Sequence, residues 1–186
     1  MNTIPVIPGL SMPFFPMRPS HGVSISPINK ATVIEQEAKK YFIQPKLNGD
    51  RAALLVQSGA LHIQNRHGDW YRFGIKNGRQ FLHLPDTTLL EGEVFESRFH
   101  PFEALVVDGE SMLRECPSVR AFEARRLCSL IGVEWLFESP TTGWVLHNFC
   151  RSKEWEGVVL KKLGSPYLPL GLATQHSSTW WKRKWA

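Results

Sequence analysis

The residues best suited to chemistry begin with Lys46-Leu47-Asn48-Gly49-Asp50-Arg51. A lysine at a strand end, followed by an Asn-Gly turn, holds its amine at the mouth of a cleft while the backbone reverses. The returning strand then brings Arg51 back beside it, so one hairpin presents an amine and a guanidinium together. Arg grips oxygen atoms in a fork, and an unprotonated Lys attacks phosphorus or a carbonyl carbon, so the pair suits an anionic ligand. The plainer reading of a lone Asn-Gly hairpin is a surface turn with solvated charges. Further along, Glu93 and Glu156 are hard oxygen donors suited to Mg²⁺ or Mn²⁺, or else surface carboxylates paired with lysines. Lys182-Arg183-Lys184, flanked by Trp180, Trp181 and Trp185, mixes positive charge with stacking surface, as a nucleic-acid backbone or an anionic nucleotide requires. The same tryptophans would serve to anchor a last strand.

Short elements must position these groups. A helix is expected over 31–40, with Val33, Ile34 and Ala38 on one side and Lys39 and Lys40 at its C-terminal dipole end. Strand chemistry follows at 41–45, 52–57, 61–65 and 70–73, in short β-branched or aromatic runs separated by Ser58-Gly59 and His67-Gly68 turns. Further strands are expected at 89–95, 104–107, 133–137 and 157–161, with a short helix around 144–151. A second helix is expected from Ser118 to just before Gly132, with Val119, Phe122, Leu127, Leu130 and Ile131 near one face. Few helices and hairpin-like strand runs indicate an α+β fold with mainly antiparallel sheets. No strand-helix alternation and no glycine-rich phosphate loop supports a Rossmann or P-loop fold.

Length and composition bound the rest. The chain has 186 residues, a formal charge of +5 and a pI near 9.3, enough for one domain with its own core and no disulfide or zinc staple. With 42% hydrophobic and 21% charged residues, wholesale disorder and membrane spanning are both excluded. Six prolines before residue 28 predict an extended lead segment over 1–28, packed on a domain over 29–186 through Phe14, Phe15 and Met17. Early prolines and a first arginine only at Arg18 argue against a secretory signal. Cys116, Cys128 and Cys150 are odd in number and widely spaced, which points to a reducing compartment and buried structural thiols. The seven histidines, His62, His67 and His147 among them, show no metal-ligand spacing.

Lys46-x-Asn48-Gly49-x-Arg51 resembles the K-x-D-G-x-R motif of the covalent nucleotidyltransferases, the superfamily of ATP-dependent DNA ligases, RNA ligases and mRNA capping enzymes. Later segments resemble that superfamily's motifs in the same order. Leu90-Glu91-Gly92-Glu93-Val94-Phe95 resembles the D-G-E strand, and Ala104 to Asp108 the strand after it. Glu156-Gly157-Val158-Val159-Leu160-Lys161 matches E-G-x-x-x-K, and Lys182-Arg183-Lys184 resembles K-x-K. Asn65-Arg66-His67-Gly68 resembles a short arginine-bearing turn between the first two motifs. Asn48 and Glu91 each stand where the motifs have Asp, and Val107 stands where an aromatic stacks on the base.

The resemblance implies a nucleotidyltransferase domain (ATP-grasp-like), built of mainly antiparallel sheets with flanking helices and without an OB-fold domain. Lys46 would attack the α-phosphate of ATP, giving a lysyl-AMP phosphoramidate, and AMP would pass to a 5′-phosphate of nicked double-stranded DNA. An unperturbed lysine, with a pKa near 10.4, is almost wholly protonated at neutral pH, so neighbouring cations and a divalent metal must favour the free amine. Lys161, Lys182 and Lys184 are the implied cations, Glu93 and Glu156 the implied holders of Mg²⁺ or Mn²⁺, with Glu93 also near the ribose. Arg51 would hold the ribose or the acceptor end, Arg66 a 5′-phosphate, and Gln44 the adenine edge. RNA joining, capping-type guanylyl transfer, and a non-catalytic nucleotide- or DNA-binding module are the alternatives. A separate OB-fold or clamp protein would complete an intracellular monomer, in cytoplasm or nucleoid or of viral origin, with no membrane partner.

Overall fold

The computed structural model describes residues 10, 15–22, 33, 36–71, 74–137, 155–169 and 176–185. Two sheets carry the architecture. The smaller has four strands in the order β1-β10-β9-β2: β1 (Pro19–His21), β2 (Tyr41–Lys46), β9 (Gly157–Lys162) and β10 (Ser177–Lys184). The larger has six in the order β5-β4-β3-β6-β7-β8. These are β3 (Asp50–Gln57), β4 (Ala60–Asn65), β5 (Trp70–Tyr71), β6 (Thr88–Phe95), β7 (Arg98–Val107) and β8 (Glu110–Ser111). Every pairing is antiparallel except β1 with β10. The helices with complete bounds are α1 (Gly78–Phe81) and α2 (Pro117–Leu130).

The sequence of β3 explains why the larger sheet lies in the middle. Ala52-Ala53-Leu54-Leu55-Val56 is unbroken apolar chain, buried throughout. Ala53 and Leu55 face the smaller sheet in a core with Ile43, Leu105, Val158 and Trp180. Ala52, Leu54 and Val56 face the other way, into a core with Phe81, Phe99, Ala124 and Leu127. A strand covered on both sides has no polar face to alternate with. Between β6 and β7 the ladder slips at Glu91/Gly92, where Gly92 lies opposite Pro101. A Cβ on Gly92 would fall 2.3 Å from the His100 carbonyl oxygen, so only glycine fits this close approach.

Several expectations change. The 46–51 segment is not a hairpin: β2 pairs with β9, and β3 with β4 and β6, so the Asn48-Gly49 bend carries the chain from one sheet to the other. Residues 133–137 form no strand. They cross between the cores instead, with Val133 in the helix-side core and Phe137 in the inter-sheet core. On α2 the expected apolar face holds only in part, through the buried Leu127 and the Ile131 that packs against the same core. Val119, Phe122 and Leu130 are exposed, and Pro117, Arg120, Ala121, Ala124, Leu127 and Cys128 are buried. Small alanines let the helix approach the sheet closely, and Arg120 enters because a buried carboxylate awaits it.

The strand expected at 104–107 begins six residues earlier, at Arg98. Within 31–40, Val33 and residues 36–38 are helical. The helix expected around 144–151, and positions 72–73 of the expected fourth strand, lie outside the described residues. Cys128 is buried as expected, Cys116 is only half-buried, and Cys150 lies outside the described residues. Among the described residues no helix is long and apolar enough to cross a membrane.

Candidate active site

The crossover from β2 to β3 places Lys46 and Arg51 on facing sheets, at the same end of the gap between them. Leu47, 1% exposed, pins the bend into the inter-sheet core. Lys46 and Lys184 both lie in register with Gly157, so the three strands bring these residues abreast. Glu156, one residue before, sits between the two lysines. It forms an ion pair with Lys46 through Oε2, and accepts from Lys184 Nζ through Oε1 at 3.3 Å. Lys46 Nζ also donates to the Leu47 carbonyl at 3.2 Å. A Cβ on Gly157 would lie 1.9 Å from the Arg183 carbonyl oxygen, so glycine is what lets β10 come this near. Burial pushes the Glu156 carboxyl up, but hydrogen bonds and charge from Lys46 and Lys184 outweigh it and hold the group below the ordinary carboxylate range.

Across the gap, Arg51 is the register partner of Glu93. Burial raises the Glu93 carboxyl to about 8, although Arg51 and Lys46 pull it down. The Arg51 guanidinium itself is committed: Nε and Nη2 donate to Glu91 Oε1 at 2.8 and 2.5 Å. Its Cζ lies 5.1 Å from the Phe102 ring centre and 5.3 Å from that of Trp180. Lys161 stacks on the same two rings, 4.5 and 4.1 Å from their centres. Two cations and two aromatic rings therefore form one buried assembly, where desolvated cation–π contacts are worth about 2 kcal/mol each.

Lys161 is 1% exposed and lies in the floor of this assembly. Its Nζ donates to Glu103 Oε1 and to Gln44 Oε1, both at 2.6 Å. Burial lowers its pKa to about 8 against the opposing pull of Glu103. The other Glu103 oxygen accepts from Arg120 Nε at 2.9 Å, which explains the arginine on the inner face of α2. Gln44 Nε2 donates to the Phe102 carbonyl at 3.2 Å, so both ends of that amide are engaged within the protein. Tyr167 closes the assembly beside Glu91, its hydroxyl accepting from Met17 N at 2.9 Å.

A cavity of about 50 Å³ remains, lined by Lys46, Arg51, Glu93, Phe102, Val159 and Trp180, with Gln44, Lys161, Pro19 and Phe137 also on its walls. Ligand sites usually measure about 300–1,000 Å³, so this cavity is small for one. The sequence-derived residues Lys46, Gln44, Arg51, Glu93 and Lys161 thus meet at one cleft, with Glu156 and Lys184 at its mouth. Lys182 lies on the same face of β10 as Trp180 and Lys184, two residues from each. Arg66 is in the exposed turn after β4, where Asn65 Oδ1 accepts from His67 N and Asp69 N at 2.8 and 3.0 Å. Asn65 is opposite Ala52, which sets Arg66 at the Arg51 end of the larger sheet. Among the described residues no group of three His, Cys, Asp or Glu side chains could hold a metal alone.

Sequence reasoning missed Glu103, Arg120, Tyr167 and Phe102. The available signal was a carboxylate inside the apolar run Phe102-Glu103-Ala104-Leu105-Val106, which demands a buried counter-charge. The aromatic rings facing the cleft are Phe102, Phe137 and Trp180, whereas Val107 packs near the helix-side core.

This arrangement, two mainly antiparallel sheets with a basic, aromatic-lined cleft between them, is a fold shared with solved DNA ligase structures. Among the solved structures it resembles are DNA ligases. It matches the ligase domain of M. tuberculosis LigD with a TM-score of 0.73 at 21% identity, covering 94% of this chain and 61% of that one. It matches mycobacterial DNA ligase D complexed with ATP and MES with a TM-score of 0.68 at 19% identity, covering 94% and 62%. A Lig E DNA ligase follows at 0.53 and 15% identity, covering 89% and 69%. The chain thus spans about three-fifths of the length of the first two. No protein-family profile and no curated protein matches it.

Proposed function

We propose that this chain is the catalytic core of an ATP-dependent polynucleotide ligase acting on nicked DNA. The observation that carries this reading is the meeting of Lys46, Glu156, Lys184, Glu93 and Arg51 at one cleft, on a fold shared with DNA ligase domains. The nitrogen of Lys46, freed from Glu156 and stripped of a proton, attacks the α-phosphorus of ATP. The N–P bond forms, the bond to the bridging oxygen breaks, and pyrophosphate leaves with its electron pair. Lys184 and Lys182 face the phosphate negative charge that builds on that path. AMP then passes from the lysine to a 5′-phosphate, and a 3′-hydroxyl displaces it.

The donor set suits Mg²⁺ or Mn²⁺ that arrives with the nucleotide. Glu93, on giving up the proton its burial favours, offers a hard oxygen beside Lys46, and such ions are held by one or two carboxylates plus substrate phosphates. The ion would neutralise phosphate charge; Glu156 joins it only by releasing a lysine. Intact-mass measurement after ATP and Mg²⁺ tests the reading. One AMP should add to the wild type and none to Lys46→Ala, and pyrophosphate should remove it. Unmodified protein under these conditions would reduce the chain to a binding module. Parallel reactions with GTP, and sealing assays on DNA and RNA nicks, separate DNA joining from RNA joining and guanylyl transfer.

A further inference from the structure

A glutamine side chain is nearly symmetric in shape and unsymmetric in chemistry. Its oxygen accepts and its nitrogen donates, so turning the amide over exchanges the two. At Gln44 the protein forbids that exchange. The Lys161 ammonium, which has donors and no acceptor, donates to Oε1 at 2.6 Å. The Phe102 carbonyl, which has no donor, accepts from Nε2 at 3.2 Å. Turned over, the amide would set its hydrogens against the ammonium and its oxygen against the carbonyl oxygen. Lys161 is itself fixed: Glu103 Oε1 accepts from it at 2.6 Å, and the Phe102 and Trp180 rings cover it. Arg120 Nε, on α2, donates to the other Glu103 oxygen at 2.9 Å. A chain of bonds therefore runs from α2 through the larger sheet to an amide on the smaller one. After these bonds Gln44 keeps one lone pair on Oε1 and one N–H on Nε2. It lines the cleft cavity together with the flat rings of Phe102, Phe137 and Trp180.

We propose that Lys161, kept in place by Glu103 and Arg120, is a positioning residue that sets base preference by fixing the donor–acceptor order Gln44 presents to the cleft. Adenine offers a donor amine beside an acceptor ring nitrogen, and hypoxanthine offers an acceptor oxygen beside a donor ring N–H. An amide free to turn over serves both; a locked one matches a single order. The order it matches is that of adenine, a choice that rests on the ATP-using reading proposed above. Lys161 itself touches no base, and acts only through Gln44.

Calorimetric titration with AMP and with IMP, which differ only in that order, reads the lock without any chemical step. The wild type should bind AMP more tightly by about tenfold or more. Lys161→Met, which fills similar space without a donor, should bring the two affinities within about threefold of each other, and so should Gln44→Met, which removes the amide. A merely structural loss would weaken both nucleotides alike and keep their ratio. If Lys161→Met does not fold, Lys161→Gln takes its place, because its own amide can turn with that of Gln44. A wild type that binds the two alike, or binds neither, overturns the proposal. So does a ratio that survives in Gln44→Met or in a folded Lys161 variant. AMP addition to Lys46, read by intact mass, reports the ligase question separately. A levelled ratio without AMP addition keeps the lock and removes the ligase reading; AMP addition with an unchanged ratio does the reverse.

Discussion

Two neighbouring hollows border the larger sheet, and they differ in kind. Glu93 lines the first, and its register partner His100 lines the second. The second is the larger, about 630 Å³, bounded by Asn77, Gln80, Arg98, Glu134 and Trp155 as well as His100. Two of its polar side chains are spent on backbone. Asn77 both donates to and accepts from Phe99, at 2.8 and 2.9 Å, and Gln80 donates to the Gly132 carbonyl at 3.1 Å. The first hollow, about 50 Å³, is where an amine, two carboxylates and stacked cations converge. Volume alone would choose the second; convergence of unlike charges on shared side chains favours the first.

The sharpest way to break this contrast is a pair of variants, one from each hollow. Lys46→Ala should lower AMP attachment by about 10⁴-fold or more, as loss of a nucleophile does, while Gln80→Ala keeps it within about twofold. Comparable losses in the two variants, read by intact mass, would erase the distinction. Next in size, Glu103→Ala leaves Lys161 and Arg120 buried without their carboxylate and should cost about 3–5 kcal/mol in denaturant unfolding. Asn77→Ala in the wide hollow should cost about 1–3 kcal/mol, the penalty for unpaired backbone groups, and leave AMP attachment alone.

A further contrast concerns pH. Burial holds the Glu93 carboxyl near 8, so the proton it keeps stabilises the fold fully below its unfolded value of 4.5. That contribution is lost as pH rises through about 8. Glu93→Gln is neutral at every pH, so the wild-type Tm should fall relative to the variant between about pH 5 and about pH 9. A constant difference would mean that Glu93 is solvated.

What was legible in the sequence was local. Strands 52–57 and 61–65 follow from β-branched and aliphatic runs bounded by turns, and the structure has them as β3 and β4 within two residues. Lys46, Glu93 and Glu156 were legible because residue type and motif order single them out. The sheet to which each strand belongs was not. Asn48-Gly49 has the local chemistry of a hairpin, yet β2 finds its partner β9 more than a hundred residues away, and no local signal encodes that pairing. The inner face of α2 was missed for a related reason. Arg120 looks like surface until Glu103 is known to lie beneath it, and the bulky Phe122, 67% exposed, looks like core.

The parallel pairing of β1 with β10 sets an order of assembly. Ser20 Oγ donates to the Ser177 carbonyl across 157 positions of chain, so this wall of the cleft must wait for residue 177 to leave the ribosome. The larger sheet, whose strands adjoin along the chain, has no such delay. During synthesis the scaffold is therefore finished well before the cleft closes, and nascent chains halted before residue 177 would be folded in part yet lack this wall of the cleft.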